Sequence, residues 1–152
     1  MHLHEMPDQV REQLVNQELP EYTDTACVAG PPLSERRIAI LTTAGLHRRD
    51  DAPFSAGVGE FRLIPEDTDM DDMIMSHVST NFDRSGFFKD LNTVFPIERL
   101  RELAADGTVG SVAGYHFAFM GATPPMAHEA VAKEVAATLK GDGTDGVLLA
   151  GV

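Results

Sequence analysis

Three short apolar runs, each leading into a glycine, decide most of what this chain can fold into. They are Ile38-Ala-Ile-Leu41 running on to Gly45, His116-Phe-Ala-Phe-Met120 meeting Gly121, and Val147-Leu-Leu149 meeting Gly151. Runs of this length, apolar on consecutive positions, suit strands covered on both faces. The segments between them carry helical stripes instead. Pro96 opens one, with Ile97, Leu100, Leu103 and Ala104 on one side and Gly107 as its stop. Pro124-Pro125 opens the other, with Ala130, Val131, Val135, Ala136 and Leu139 before Gly141. Strands alternating with helices imply a parallel sheet with helices on both faces.

The expected fold is therefore α/β, a single Rossmann-like or flavodoxin-like domain with a mostly parallel sheet over residues 37–152. Residues 1–36 are expected to hold an N-terminal helix, Met6 to Asn16, and a proline-rich connector ending in Gly30-Pro31-Pro32. Residues 46–59 lack periodicity and read as a loop, and Glu60–Ile64 as a short strand near an edge. Residues 68–77 read as a turn or two of helix capped by Thr68 or Asp69, and 78–95 as irregular chain. Val147–Leu149 reads as a buried strand. A catalytic loop usually starts at the end of such a strand, so the chain is expected to be truncated there.

Charge narrows the function classes. A formal net charge of −12, with basic residues clustered no further than Arg36-Arg37 and Arg48-Arg49, disfavours nucleic acid and anionic membranes. No apolar run approaches the ~20 residues of a membrane-spanning helix, and Met1–Asp8 lacks a secretory pattern, so a cytoplasmic location is expected. Cys27 is the single cysteine, which excludes an internal disulfide and a multi-cysteine metal site. Its neighbours Thr25, Ala26 and Val28 supply no charge that lowers a thiol pKa.

In such sheets, ligands sit at the carboxyl ends of the strands. Three segments qualify: Thr42–Ser55, Ala118–Thr123 and whatever follows Val152. His47, His77, His116 and His128 fall in or beside irregular segments, near Asp50, Asp51, Asp83 and Asp90. Two histidines and a carboxylate can bind zinc or iron, but no pair has the spacing of a specific motif, so loop histidines with ordinary hydrogen bonds explain them better. Asp83 and Asp90 can orient a histidine or hold a substrate ammonium, or simply close turns on their own backbone. Phe82, Phe87, Phe88 and Phe95 read as anchors on the core. Gly121–Met126 precedes a helix whose start can receive a carboxylate.

Several segments in order resemble the glycine/sarcosine/betaine reductase selenoprotein B family, most of all its D-proline reductase selenoprotein branch. They are Leu41-Thr-Thr-Ala-Gly-Leu-His47, Phe61-Arg-Leu-Ile-Pro65, Ser76-His77, Asn81-Phe-Asp83, Asp90–Leu103, Gly107–Val112, His116–Gly121 and Leu139–Leu149. The resemblance implies reductive cleavage of a C–N bond alpha to a carboxyl group, driven by oxidation of a dithiol. It implies a small amino-acid or amine substrate, and a nucleophilic selenocysteine or cysteine shortly after the strand at Val147–Leu149. No cofactor is visible in the sequence, and a selenocysteine is expected just beyond Val152, at a UGA codon. Matched motif positions are Thr43, Gly45, His47, His77, Asp83, Asn92, His116, Met120 and Gly121. Among them His77 or His116 is expected as proton donor to the leaving amine, with Asp83 beside them in the catalytic set. Thr43, Gly45, His47, Asn92, Met120 and Gly121 are expected around the substrate.

Without that nucleophile the chain is expected to be inactive, with a partner reductase subunit and homo-oligomerisation at the sheet edge. Two other functions stay open: a non-catalytic binding or assembly subunit of the same fold, and a metal-dependent enzyme using His47, His77 and His116.

Overall fold

The computed structural model describes residues 2–21, 23, 27–79 and 83–152. Strand β1, Arg37–Thr42, is the centre of the main sheet. Along one edge it pairs in parallel with β7, Gly146–Ala150, over five registered positions from Ile38–Gly146 to Thr42–Ala150. Along the other it meets two short collinear strands, β5 (Ser111–Val112) and β6 (Tyr115–Phe119), again in parallel. Strand β3, Phe61–Pro65, pairs antiparallel with β6 and forms an edge. The main sheet is thus mixed and partly parallel, as the alternation of runs requires.

Helices cover both faces because β1 alternates. Ile38 and Ile40 pack with Ile97 and Leu100 of helix α3, Ile97–Ala105, together with Phe95 and Val109. Ala39 points the other way, toward Phe117, Phe119 and the Val135 and Leu139 side chains of helix α4, Glu129–Gly141. Ile40 is fully buried, and a buried isoleucine contributes about 2 kcal/mol. The prolines act as expected at both helix starts, although a 3-10 turn, Pro125–His128, precedes α4.

Several sequence expectations are corrected. Residues 46–59 begin with a strand, β2 (Leu46–Arg48), paired antiparallel with β4 (Met73–Met75), where helix was expected. Only the 3-10 turn Met70–Asp72 is helical there, and Asp69 caps it by accepting from the Asp71 amide. Its hydrophobic payload, Met73 and Leu46, drops into the α3-side core as strand. Helix α2, Ser85–Lys89, and a 3-10 turn at Leu91–Thr93 occupy the segment expected to be irregular. Phe82 falls outside the described residues, as do Asn81 and Thr80; Phe95 is a buried anchor, but Phe88 is 77% exposed. Strand β7 is not buried: Val147 and Leu148 are about two-fifths exposed and Leu149 is 71% exposed, because no element covers it. Helix α1, Asp8–Val15, lies within the expected span and buries no residue.

One carboxylate clamps the base of the sheet. Asp142, just after α4, receives two hydrogen bonds from Arg37 at 3.0 Å, one from the Gly114 amide at 2.8 Å and one from the Thr144 hydroxyl at 3.3 Å. These bonds, led by that of Arg37, hold its carboxyl below the usual range. Asp142 therefore joins the start of β1, the β5–β6 junction and the α4–β7 turn. Asp142→Ala is expected to lower stability by about 2 kcal/mol, seen as a lower urea midpoint; Asp142→Asn, which can still accept from Gly114, falls between.

Candidate functional site

The carboxyl ends of β1, β6 and β7 meet through Thr43. Its amide donates to the Ala150 carbonyl at 3.1 Å and its carbonyl accepts from the Gly121 amide at 2.9 Å. Its hydroxyl accepts from the Val152 amide at 2.9 Å and donates to the Val152 carbonyl at 3.3 Å. Three strand ends are thereby tied by one residue, with both backbone and side chain used.

Gly45 and Gly121 let these ends approach. Gly45 has φ +67°, and a Cβ there stands 3.1 Å from the His77 amide nitrogen and from Met120 Cε. Its amide donates to the Phe119 carbonyl at 2.8 Å. A Cβ on Gly121 stands 3.0 Å from Thr43 Cβ and from the Thr43 and Val152 carbonyl oxygens. Both positions disfavour a side chain, the first by its positive φ and tight contact, the second by tight contact alone. Met120 is fully buried, and its sulfur receives the Val78 amide at 3.5 Å.

Two histidines flank the end of β6. His77, on the α3 side with Met120, is 6% exposed; its Nδ1 accepts from the Ser79 amide at 3.2 Å, and its carbonyl receives the Arg84 guanidinium. Burial, and secondarily the Arg84 charge, push its pKa down. His128, on the α4 side, sets its ring edge-on to Phe119 with centroids 5.0 Å apart. Its ring donates to the Met120 backbone, and its buried Nδ1 has no partner among the described residues. Burial lowers its pKa too, against the Met120 hydrogen bond. Both rings are neutral at pH 7 and offer hydrogen bonds rather than charge.

Of the nine residues expected from the sequence, Thr43, Gly45, His77, Met120 and Gly121 converge at the strand ends. The other four have structural partners elsewhere. Asp83 receives the Ser85 amide at 2.9 Å and caps α2. Asn92 bonds Asp90 at 2.9 Å and Glu98 at 2.7 Å, and accepts from the Glu98 amide, locking the start of α3. His47 is buried on β2, with Nδ1 donating to the Arg48 carbonyl at 2.7 Å and its ring edge-on to Phe54. His116 sits mid-sheet. Among the described residues no group of three or more His, Cys, Asp or Glu side chains can hold a metal ion, so the reading of His47, His77 and His116 as a metal site is set aside. His128 and the buried Thr123, whose hydroxyl has no partner among the described residues, were not singled out as site residues; only the turn at Pro124-Pro125 brings them in.

His116 has a defined structural task. Between the paired positions Ile38–Val112 and Leu41–Phe117 lie two residues on β1 and four opposite, residues 39–40 and 113–116. The Ile40 amide, left without a strand carbonyl, donates to His116 Nδ1 at 2.9 Å. Burial pushes the His116 pKa down to about 4. Protonation of Nδ1 sets two donors face to face, so only the neutral ring fits. The folded-state pKa lies below the unfolded one, so the stabilisation is whole above pH 6.5 and is lost as pH falls toward 4. The loss is expected to reach about 3 kcal/mol in denaturation midpoints between these values. His116→Asn, whose side-chain oxygen can accept from Ile40, is expected to flatten that slope.

The family model described as glycine/sarcosine/betaine reductase selenoprotein B matches residues 18–152. The chain is 37% identical over 120 residues to the D-proline reductase subunit gamma of Acetoanaerobium sticklandii, a match covering 77% of this chain and 49% of that protein. It is 28% identical over 134 residues to the betaine reductase complex component B subunit beta of Peptoclostridium acidaminophilum, covering 84% and 31%. It is 27% identical over 124 residues to the glycine reductase complex component B subunit gamma of Carboxydothermus hydrogenoformans, covering 77% and 28%. The chain therefore spans about half the length of the first relative and less than a third of the other two. No solved structure matches it.

Proposed function

Because the chain belongs to the glycine/sarcosine/betaine reductase selenoprotein B family, we propose that it serves in a reductase complex that cleaves the C–N bond of a small amino acid. The observation that carries this reading is the junction of three parallel strand ends at Thr43, with Gly45 and Gly121 held free of side chains beside it. We read the sheet as Rossmann- or flavodoxin-like, a class whose ligands bind at such ends. In the proposed reaction a selenolate or thiolate attacks the alpha carbon, and the C–N bond breaks with its electron pair leaving on nitrogen. A thiol then attacks the selenium or sulfur, the alpha carbon takes a proton, and closing the disulfide completes a two-electron oxidation of the dithiol. An alpha ammonium already carries the proton that an amine leaving group needs, so His77, neutral at the strand end with Nδ1 taken by the Ser79 amide, is assigned to donate its Nε2–H to the substrate carboxylate. His116, fully buried within the sheet with Nδ1 on the Ile40 amide, is given no such role in this reading.

The attacking residue is taken to be a selenocysteine placed by the β7 end, where the Thr43 hydroxyl grips the Val152 backbone. Cys27 lies exposed in the connector, away from the family motifs. No described helix is long and apolar enough to cross a membrane. The exposed side chains of β7 support a second role in assembly, with another reductase polypeptide as partner.

The test is to isolate the complex that contains this chain from the cells that encode it and supply dithiothreitol with glycine, proline or betaine. One disulfide formed per C–N bond cleaved is the expected stoichiometry, with the amine released from glycine or betaine and the ring opened in proline. Gly121→Ala is expected to lower kcat at least tenfold, about 1.4 kcal/mol, through the crowding of Thr43. Absence of dithiol-dependent C–N cleavage by that complex for all three substrates rejects the reading.

A further inference from the structure

Helix α1, Asp8–Val15, stands over the end of β6 without being tied to it. Val10, Gln13, Leu14 and Gln17 share the i, i+3, i+4, i+7 spacing of one helical face and line one wall of a cavity of ≈ 560 Å³. The other wall is the turn after β6, Gly121 to Pro124. Gly121 is exposed and donates to the Thr43 carbonyl at 2.9 Å, so the cavity borders the strand-end junction. The chain after α1 also stands off the domain: Pro20 and Glu21 share a second space of ≈ 550 Å³ with Met126 and Lys133.

Among the described residues no hydrogen bond or ion pair joins α1 to chain beyond Asn16. The helix buries no residue, with Val10 38% and Leu14 48% exposed. Its eight residues are fewer than the ~12–15 that a helix needs to persist alone in water, so α1 depends on packing its apolar side. What that side faces is Ala122 and Pro124, the latter without an N–H to leave unpaired. Residues 17–21 carry neither helix nor strand and can absorb the change of direction that closing the gap requires. The family match begins at residue 18, so α1 lies before the part of the chain shared with that family.

We propose that α1 is a lid that closes on the turn after β6, seating Val10 and Leu14 on Ala122 and Pro124 and covering Gly121 beside Thr43. Closure takes apolar surface of the helix and of the turn out of water together, which drives it. The freedom lost by residues 17–21 opposes it, and with two apolar side chains holding the lid it reopens. In the reductase reading, on which its purpose rests, the lid admits substrate to the strand ends and then keeps water from the reacting carbon.

The test reads access to one thiol in the full chain. Cys27→Ser removes the native cysteine, and Ala122→Cys, at an exposed position, places a single thiol under the lid. Leu14→Asn, which unseats the lid without adding charge, is expected to speed reaction of that thiol with dithiodipyridine about tenfold. Glu12→Gln, on the opposite side of the helix, is expected to leave the rate unchanged. In the same background Leu14→Cys with Ala122→Cys is expected to close a disulfide under mild oxidation, and Glu12→Cys with Ala122→Cys about tenfold more slowly. A labelling rate unmoved by Leu14→Asn, or equal crosslinking of the two pairs, overturns the proposal. Neither measurement reads C–N cleavage, so a complex without dithiol-dependent activity rejects the reductase reading and leaves the lid standing.

Discussion

Strand β1 is hydrogen-bonded along both edges, and on one of them the ladder closes only because a histidine ring fills a gap. Four residues oppose two beside Ala39 and Ile40, and a buried amide left there without an acceptor costs about 1–3 kcal/mol. His116 Nδ1 supplies the acceptor, with the ring held edge-on to Phe95 at 5.6 Å. The ladder then resumes at Leu41–Phe117, and from there Gly45 reaches the Phe119 carbonyl and Gly121 the Thr43 carbonyl. The strand-end junction is therefore set by a side chain several residues upstream of it. A longer or shorter insertion between β5 and β6 changes which residues of β6 face Thr43 and Gly45.

Burial, not surrounding charge, decides the protonation of the site histidines. A chain of net charge −12 is expected to raise histidine pKa values. At His116 the carboxylates Glu66 and Asp142 do pull upward, but Arg101 and Arg37, their partners, push back. The paired charges nearly cancel, and desolvation, the largest cause, prevails. The same cause leads at His77 and His128. The three imidazoles, His116 within the sheet and His77 and His128 beside its end, thus give hydrogen-bonding groups without charge.

The sequence was legible where burial on two faces produces consecutive apolar residues, as at Ile38–Leu41, and where prolines and glycines bracket a stripe, as around α3. It misled at β7. An apolar run states which side chains favour burial and says nothing of whether a neighbour is present; Leu149 faces solvent. The β2–β4 pair was missed because three-residue strands, Leu46-His-Arg and Met73-Ile-Met, are too short to display a period. Asp83 and Asn92 matched family motif positions, yet both close local structure, the turn role that their type favours. Thr43, Gly45, Met120 and Gly121 lie at the ends of β1 and β6, the part of an α/β sheet that a one-dimensional pattern locates well, whereas His77 was offered by the family resemblance alone.

His128 was harder, because what holds it is a loop with no periodicity at all. Gly59 crosses the 3-10 turn before α4 so closely that a Cβ there falls 1.7 Å from the Ala127 carbonyl oxygen and 3.0 Å from the His128 amide nitrogen. The loop carrying it is pinned at its base by Arg62, which donates to the Ala52 and Pro53 carbonyls and lies 4.5 Å over the Phe54 ring. Glu60 adds a bond from the Ser55 amide and an ion pair to Arg62. Residues 52–62 thus form a brace whose Gly59 backbone presses on the turn that aims the His128 ring. The position of that ring depends on Gly59 remaining glycine, a requirement set by backbone approach and not by any chemistry that glycine itself contributes.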